Sequence, residues 1–422
     1  LKVRGEYSLE LYDTISGEAR AAGTSIDNGW TVHDTAFYEH DSLLLRLTPA
    51  AGPAGAAKSA KSAQAARRDG ADQSAGASYA GARQEKRHVF LAPVPVTLSE
   101  PNALLLDIAE YALDGEPYRP ADEILRLDNA LRMELCWPLR CAAIAQPWVG
   151  DAGQSSAAAH TLRLRYTFKS SVAISGAELA LENADSTVVL LNGEAAAPGR
   201  LAGRIGQRAA AAGQPANAAQ CGADPQAARG GWYVDKCIRT VALPDIKPGA
   251  NTIELSMPYS RKVDVEACYV LGDFRVDVEG CACALGPPVK AMPFGDITRY
   301  GLPFYGGNIT YHTEVATSGG ALDIESPYYR GHLQKVRVDG RDAGFLTFSP
   351  YRAKTGALAP GRHSVDFVYY GSRVNTFGQL HRNNRVNIWW GPDSWRSTGA
   401  GWTWEYRFWE QGIMKSPEIC ET

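Results

Sequence analysis

Several things are missing from this 422-residue sequence, and each absence removes a class of function. No apolar run reaches the length of a membrane span. The charge is nearly balanced, with 43 Lys and Arg against 46 Asp and Glu, so there is no electrostatic footprint for nucleic acid or an anionic membrane. There is no G-x-S-x-G elbow, no P-loop, no G-x-G-x-x-G and no H-E-x-x-H. The eight histidines are scattered without a close pair. The eight cysteines are dispersed too, unlike the dense frameworks of small secreted domains. Cys281 and Cys283 form a CxC, but no second pair at zinc-site spacing accompanies it, and plain thiols are expected. The first residue is Leu1 and no signal peptide precedes LKVRGEYSLELYD. The chain reads as a fragment or processed product whose compartment is unassigned.

What is present is strand patterning broken by low-complexity segments. Residues 1–48 alternate in short runs with turn signals, and 88–118 resume as strand; together they are expected to form a β-rich N-terminal domain remnant. Between them, 49–87 is almost all Ala, Gly, Ser and charge, with seven Lys/Arg against three Asp/Glu over 51–87. That composition buries little and predicts a disordered insertion. Residues 119–159 read as helix and linker, with Ile124, Leu127, Leu131 and Leu135 at helical spacing behind an acidic start. HTLRLRYTFKS opens a β-domain over 160–285, with Leu162, Leu164, Tyr166 and Phe168 on one face; residues 197–230 interrupt it as a second low-complexity insertion. A further β-domain spans 286–415, its last strand expected at GWTWEYRFWE, and 416–422 is left as a tail.

The two β-domains share one plan. The first has Asn192-Gly193 and later Pro248-Gly249; the second has Asp339-Gly340 and later Pro360-Gly361. The Gly-to-Gly spacings are 56 and 21 positions, and the excess of 35 is about the length of the 197–230 insertion. Removing it brings the copies into register, which points to a duplication. The fold class expected is therefore mainly all-β, as tandem sandwiches with a short helical connector.

The stretch from Tyr369 to Trp409 holds the candidate chemistry. Six of the ten tryptophans lie in it, preceded by Asn375, Gln379, His381, Asn383 and Asn384. Pyranose rings offer apolar C–H faces to aromatic rings and a rim of hydroxyls to amide, imidazole and guanidinium groups. Arg373, Asn375, His381, Trp389, Trp390, Trp395 and Trp402 are the candidate carbohydrate contacts; the bland alternative is that the tryptophans fill a sandwich core and its end loops. Trp402 and Trp404 alternate with Thr403 and Glu405, as on one face of a strand, whereas Trp389, Trp390 and Trp395 lie in loop-forming sequence. Asp296, Glu314, Asp393 and Glu405 are the nearby carboxylates, each also readable as a cap, turn or solvated charge.

LNGE…LPDIKPGANTIELSMP and VDGRDAGFL…LAPGRHSVDF resemble the galactose-binding-like jelly rolls of bacterial glycoside hydrolases, including the sugar-binding sandwich of the β-galactosidase and β-mannosidase group. GDITRYGLPFYGGNITYH, YYGSRVNTFGQLH and WWGPDSWRSTGAGWTWEYRFW are similar to the C-terminal region of large bacterial proteins of the α-L-rhamnosidase type. The resemblance implies a catalytic (β/α) barrel upstream, with ELYDTISGEAR and SLLLRLTP as strands just after it. It also makes a structural calcium an option and carbohydrate a partner. No alternating βα series occurs in these residues, so no catalytic carboxylate is carried over. The expected role is that of a non-catalytic accessory region; structural spacers, or a glycosidase using its own C-terminal carboxylates, are the alternatives.

Overall fold

The computed structural model describes residues 1–12, 17–35, 43–50, 87–139, 160–198, 231–261, 263, 265–383 and 398–422. It is mainly β, with antiparallel sheets and, among the described residues, one substantial helix, Ile124–Glu134. Nearly all of both low-complexity insertions, the 140–159 linker, and Trp389, Trp390, Asp393 and Trp395 lie outside the described residues.

The first sandwich is built around His160–Ser170, which pairs with Gly249–Tyr259 over eleven residues. Its sheet runs Arg119–Glu123, Ile108–Leu113, His160–Ser170, Gly249–Tyr259, Val188–Leu191 and Glu194–Ala195. The facing sheet runs Ala197–Pro198, Asp235–Ala242, Glu178–Leu181, Cys268–Gly272 and Asn102–Leu106. The period of two predicted for HTLRLRYTFKS holds: Leu162, Leu164, Tyr166 and Phe168 are buried in one core with Leu179, Val270 and Leu104.

The second sandwich repeats this order. One sheet runs Ala291–Met292, Val94–Leu98, Ile309–Thr317, Gly361–Tyr370, Leu333–Val338 and Arg341–Phe345; the other runs Arg352–Lys354, Leu322–Glu325, Glu418–Glu421 and Arg87–Val89. The hairpins match atom for atom. Asn192-Gly193 and Asp339-Gly340 all have positive φ, as a type I′ turn requires. The Thr252 N–H donates to Asn192 Oδ1 at 2.9 Å, and the Ser364 N–H to Asp339 Oδ1 at 3.0 Å. In return the Asn192 and Asp339 amides donate to the Thr252 and Ser364 carbonyls.

The copies are nested, not tandem. Arg87–Val89 and Val94–Leu98 belong to the second sandwich, Asn102–Leu106 and Ile108–Leu113 to the first, and the chain returns to the second only after Gly286. This corrects the grouping of 88–118 with 1–48. Among the described residues the N-terminal strands form two three-stranded sheets of their own, Lys2–Arg4 with Trp30–Val32 and Ser25–Asp27, and Ala19–Ala22 with Tyr7–Tyr12 and Leu44–Pro49. Residues 416–422 are not a tail, because Glu418–Glu421 is an inner strand between Leu322–Glu325 and Arg87–Val89. The acids ahead of the helix sit outside its first turn: Arg119–Glu123 is a strand, and Glu123 caps the helix by accepting from the Arg126 N–H at 3.2 Å. The helix is fastened by a buried Asp128–Arg132 pair at 2.9 Å, with the Tyr259 hydroxyl donating to Asp128 at 2.7 Å.

Buried contacts close the junction between the sandwiches. Asn102 Nδ2 donates to the Phe274 and Gly301 carbonyls at 2.9 and 3.0 Å. Phe304, Leu380 and Tyr406, from segments following the first sandwich in sequence, enter its core. Gly371 backs directly onto the Gly306–Gly307 main chain, where a Cβ would lie 2.2 Å from the Gly307 oxygen.

Candidate functional site

The nested topology brings the start of the helix against the loops 374–382 and 402–409. Asp107 sits between two strands of the first sandwich and its carbonyl accepts from the Ile124 N–H at 2.8 Å, so its side chain and the Glu123 cap lie at one corner. Here a cleft of about 140 Å³ opens, lined by Asp107, Glu123, Tyr269, Gln379, His381 and Trp402 among others.

Asp107, Glu123 and His381 are each no more than 6% exposed. His381 Nε2 is 3.2 Å from Asp107 Oδ2, Nδ1 is 3.0 Å from the Thr403 carbonyl, and the Tyr406 hydroxyl donates to Asp107 Oδ1. Both ring nitrogens thus face acceptors, an arrangement that suits the imidazolium. Burial works against that charge, but the hydrogen bond and charge of Asp107 outweigh it, and His381 titrates above the ordinary histidine value. Glu123 is raised above the ordinary carboxyl value: burial, reinforced by the charge of Asp107, pushes it up to about 7. The cluster sets an imidazole biased toward its charged form beside the Asp107 side chain and a Glu123 carboxyl poised to lose its proton near neutrality.

Aromatic groups wall the corner. Arg126 lies 4.2 Å from the centre of the Trp402 ring, with His381 stacked at 6.1 Å and Trp404 edge-on at 4.7 Å. The Trp402 indole Nε1 is buried without a hydrogen-bond partner among the described residues. A buried donor of this kind is costly unless an acceptor reaches it. The segment 402–409 is not the strand expected from its alternation; its one bridge among the described residues is Trp402 with Arg382, and the main chain otherwise runs irregularly over the first sandwich. Packing of Tyr406 and Phe408 on Phe304 sets its course.

Of the residues singled out in the sequence, His381 and Trp402 meet in this cleft, and the other described ones do not. Arg373 is a bidentate partner of Glu100, at 2.5 and 2.6 Å, and also donates to the Tyr233 hydroxyl at 3.1 Å; it clamps the junction of the sandwiches. Asn375 is fully buried, donating to the Trp409 carbonyl at 2.7 Å and accepting from the Trp409 N–H at 2.9 Å, so it positions main chain. Asp296 caps the short helix Ile297–Tyr300, Glu314 pairs with Arg362 and Glu405 with Arg407; these carboxylates do not converge. Asp107 and Glu123, which line the cleft together with Glu182 and Glu266, were hidden in a strand–strand–helix stretch roughly 250 residues from the aromatic loops. The only signal was an acid at each break in an apolar run. Among the described residues no group of three or more His, Cys, Asp or Glu is placed to hold a metal ion. No helix among them is long and apolar enough to cross a membrane.

No family profile matches the chain, and no curated protein matches it by sequence. Solved structures similar to it include a rhamnosidase from Novosphingobium sp. PP1Y, at 14% identity and TM-score 0.22, covering 64% of this chain and 24% of that one. A β-D-mannosidase from Dictyoglomus thermophilum follows at 13% and 0.21, covering 64% and 31%. A GH2 β-galacturonidase from Eisenbergiella tayi follows at 11% and 0.21, covering 66% and 37%. The chain therefore spans between 24% and 37% of the length of these enzymes. At these identities and TM-scores the likeness carries no argument about substrate or mechanism. The functional reading rests on the side chains.

Proposed function

We propose that this chain is a non-catalytic accessory region of a bacterial glycoside hydrolase, made of galactose-binding-like jelly rolls, that braces a catalytic barrel and contacts carbohydrate at the Glu123–His381–Trp402 corner. One observation carries the carbohydrate reading: a buried indole N–H, without a partner among the described residues, shares a small cleft with a carboxyl and an imidazolium. A sugar hydroxyl is donor and acceptor at once. It accepts from the Trp402 Nε1–H, and a neighbouring hydroxyl donates to Glu123, while the pyranose C–H face meets the aromatic wall. Binding of this kind favours ionised Glu123 and strengthens as pH rises through 7. Titration calorimetry with mono- and oligosaccharides, rhamnose and galactose included, tests it. Saturable binding that Trp402→Ala removes and Trp402→Tyr partly restores supports the reading; a folded chain that binds none of them refutes it.

A hydrolytic reading is favoured by the protonation of Glu123, since a general acid needs a raised pKa. Glycoside hydrolysis also needs a second carboxyl free to act across the bond: both Asp107 oxygens are engaged, by His381 and Tyr406, and the other two carboxyls lining the cleft, Glu182 and Glu266, are not free either. Accessory binding is therefore the conclusion. Turnover of aryl glycosides by the isolated chain, abolished in Glu123→Gln, would reverse that order.

A further inference from the structure

A second opening lies on the same seam and shares no lining residue with the cleft just described. It encloses about 720 Å³ and is formed where four segments meet: Val276–Val278 of the first sandwich, the connector around Asp296–Gly301, Arg330, and Phe408–Glu410. That is in the range of sites that hold a small organic ligand. Trp409 lines it and is 43% exposed.

The wall holds the main chain that carries that ring. The main chain of Trp409 is gripped on both sides by Asn375, a fully buried amide whose hydrogen bonds of 2.7 and 2.9 Å both go to it. Further along the chain, the Gln411 N–H donates to Asp296 Oδ1 at 3.2 Å, and Asp296 also fixes Thr298 through its amide and hydroxyl. Burying a polar side chain is unfavourable unless its hydrogen bonds are made, and here those bonds hold the main chain of an exposed tryptophan.

The charges around the ring divide into engaged and unengaged. Asp277 pairs with Arg275, and Arg299 lies 3.6 Å from Asp296. Arg330 and Glu410 line the groove with no ion-pair partner among the described residues. One such cation and one such anion give no net preference for a charged ligand. A guanidinium and a carboxylate beside an indole face are instead the complement of vicinal hydroxyls on a ring with an apolar side.

We propose that this groove is a second saccharide subsite, taking a neutral oligosaccharide with one ring stacked on Trp409 and hydroxyls paired to Arg330 and Glu410. It rests on the carbohydrate reading above but uses none of the same side chains, so either can fail alone. The test is calorimetric titration of the full chain with neutral trisaccharides (cellotriose, mannotriose, galactotriose) and with trigalacturonate as the charged counterpart. Trp409→Ala is expected to weaken neutral binding at least roughly tenfold, Trp409→Phe to recover most of it, and Arg330→Ala to weaken it about three- to tenfold, with unchanged melting temperatures. Loss in Trp402→Ala but not in Trp409→Ala overturns the groove and leaves the cleft. The reverse pattern leaves the groove and overturns the cleft. Binding of trigalacturonate in preference to the neutral sugars, or of nothing, overturns the proposal.

Discussion

Replacing Glu123 by Gln should stabilise the chain above neutral pH and leave it unchanged in acid. Glu123 is 6% exposed, beside Asp107, and its carboxyl is pushed from 4.5 to about 7 in the fold. The folded state thus binds this proton more tightly than the unfolded chain does. Its contribution is complete below about 4.5 and is lost progressively as pH rises through 7. A tenfold difference in proton affinity between the two states is worth about 1.4 kcal/mol, so the charged carboxylate costs about 3 kcal/mol at pH 8. Gln cannot ionise, and its amide oxygen still accepts the Arg126 N–H that caps the helix. For a unit of 150–250 residues the gain corresponds to roughly 6–12 °C in Tm at pH 8, shrinking to nothing near pH 4. Scanning calorimetry of both proteins from pH 4 to 8.5 measures it. His381, whose own value is raised despite burial, chiefly by Asp107 and in part by the Glu123 charge, contributes stability present below 6.5 and lost as pH rises through its folded value; the variant loses only the Glu123 share, and the Asp107 share is common to both proteins. A variant no more stable than the parent at pH 8, or a difference independent of pH, would refute the electrostatic account of this corner.

Other consequences follow from the packing. Asp128→Ala leaves Arg132 charged and 2% exposed, and should cost about 3–5 kcal/mol in denaturant unfolding. Arg373→Lys keeps the charge but loses the paired contact with Glu100, and should lower the melting temperature by an amount equivalent to about 1–2 kcal/mol. Gly371→Ala drives a Cβ to within 2.2 Å of the Gly307 oxygen, costing about 2–3 kcal/mol and raising hydrogen exchange along 304–308 and 371–376.

The strands were the most legible feature because each has one buried face, and a period of two writes that face into the sequence, as at Leu162 to Phe168. The duplication was legible for a related reason: Asn192-Gly193 and Asp339-Gly340 need positive φ, which few residue pairs supply cheaply. The nesting was not, because strand pairing is long-range. Nothing local tells Val94–Leu98 to lie beside Ile309–Thr317 when Ile108–Leu113 is far closer in sequence. The same limit hid half of the site. His381 and Trp402 stood out as polar and aromatic groups in a loop, but their partners Asp107 and Glu123 read as strand end and helix cap. Trp402, Thr403, Trp404 and Glu405 alternate like a strand, yet the packing of both Trp402 and Trp404 against Arg126 accounts for that spacing without a ladder.

The carbohydrate reading is tested most directly at the Trp402 indole itself. The ¹H–¹⁵N resonance of its Nε1, assigned by its disappearance in Trp402→Phe, should move downfield and saturate as a bound sugar supplies the missing acceptor. An indole resonance that stays in place through titration of the whole saccharide panel, in a folded protein, would contradict it.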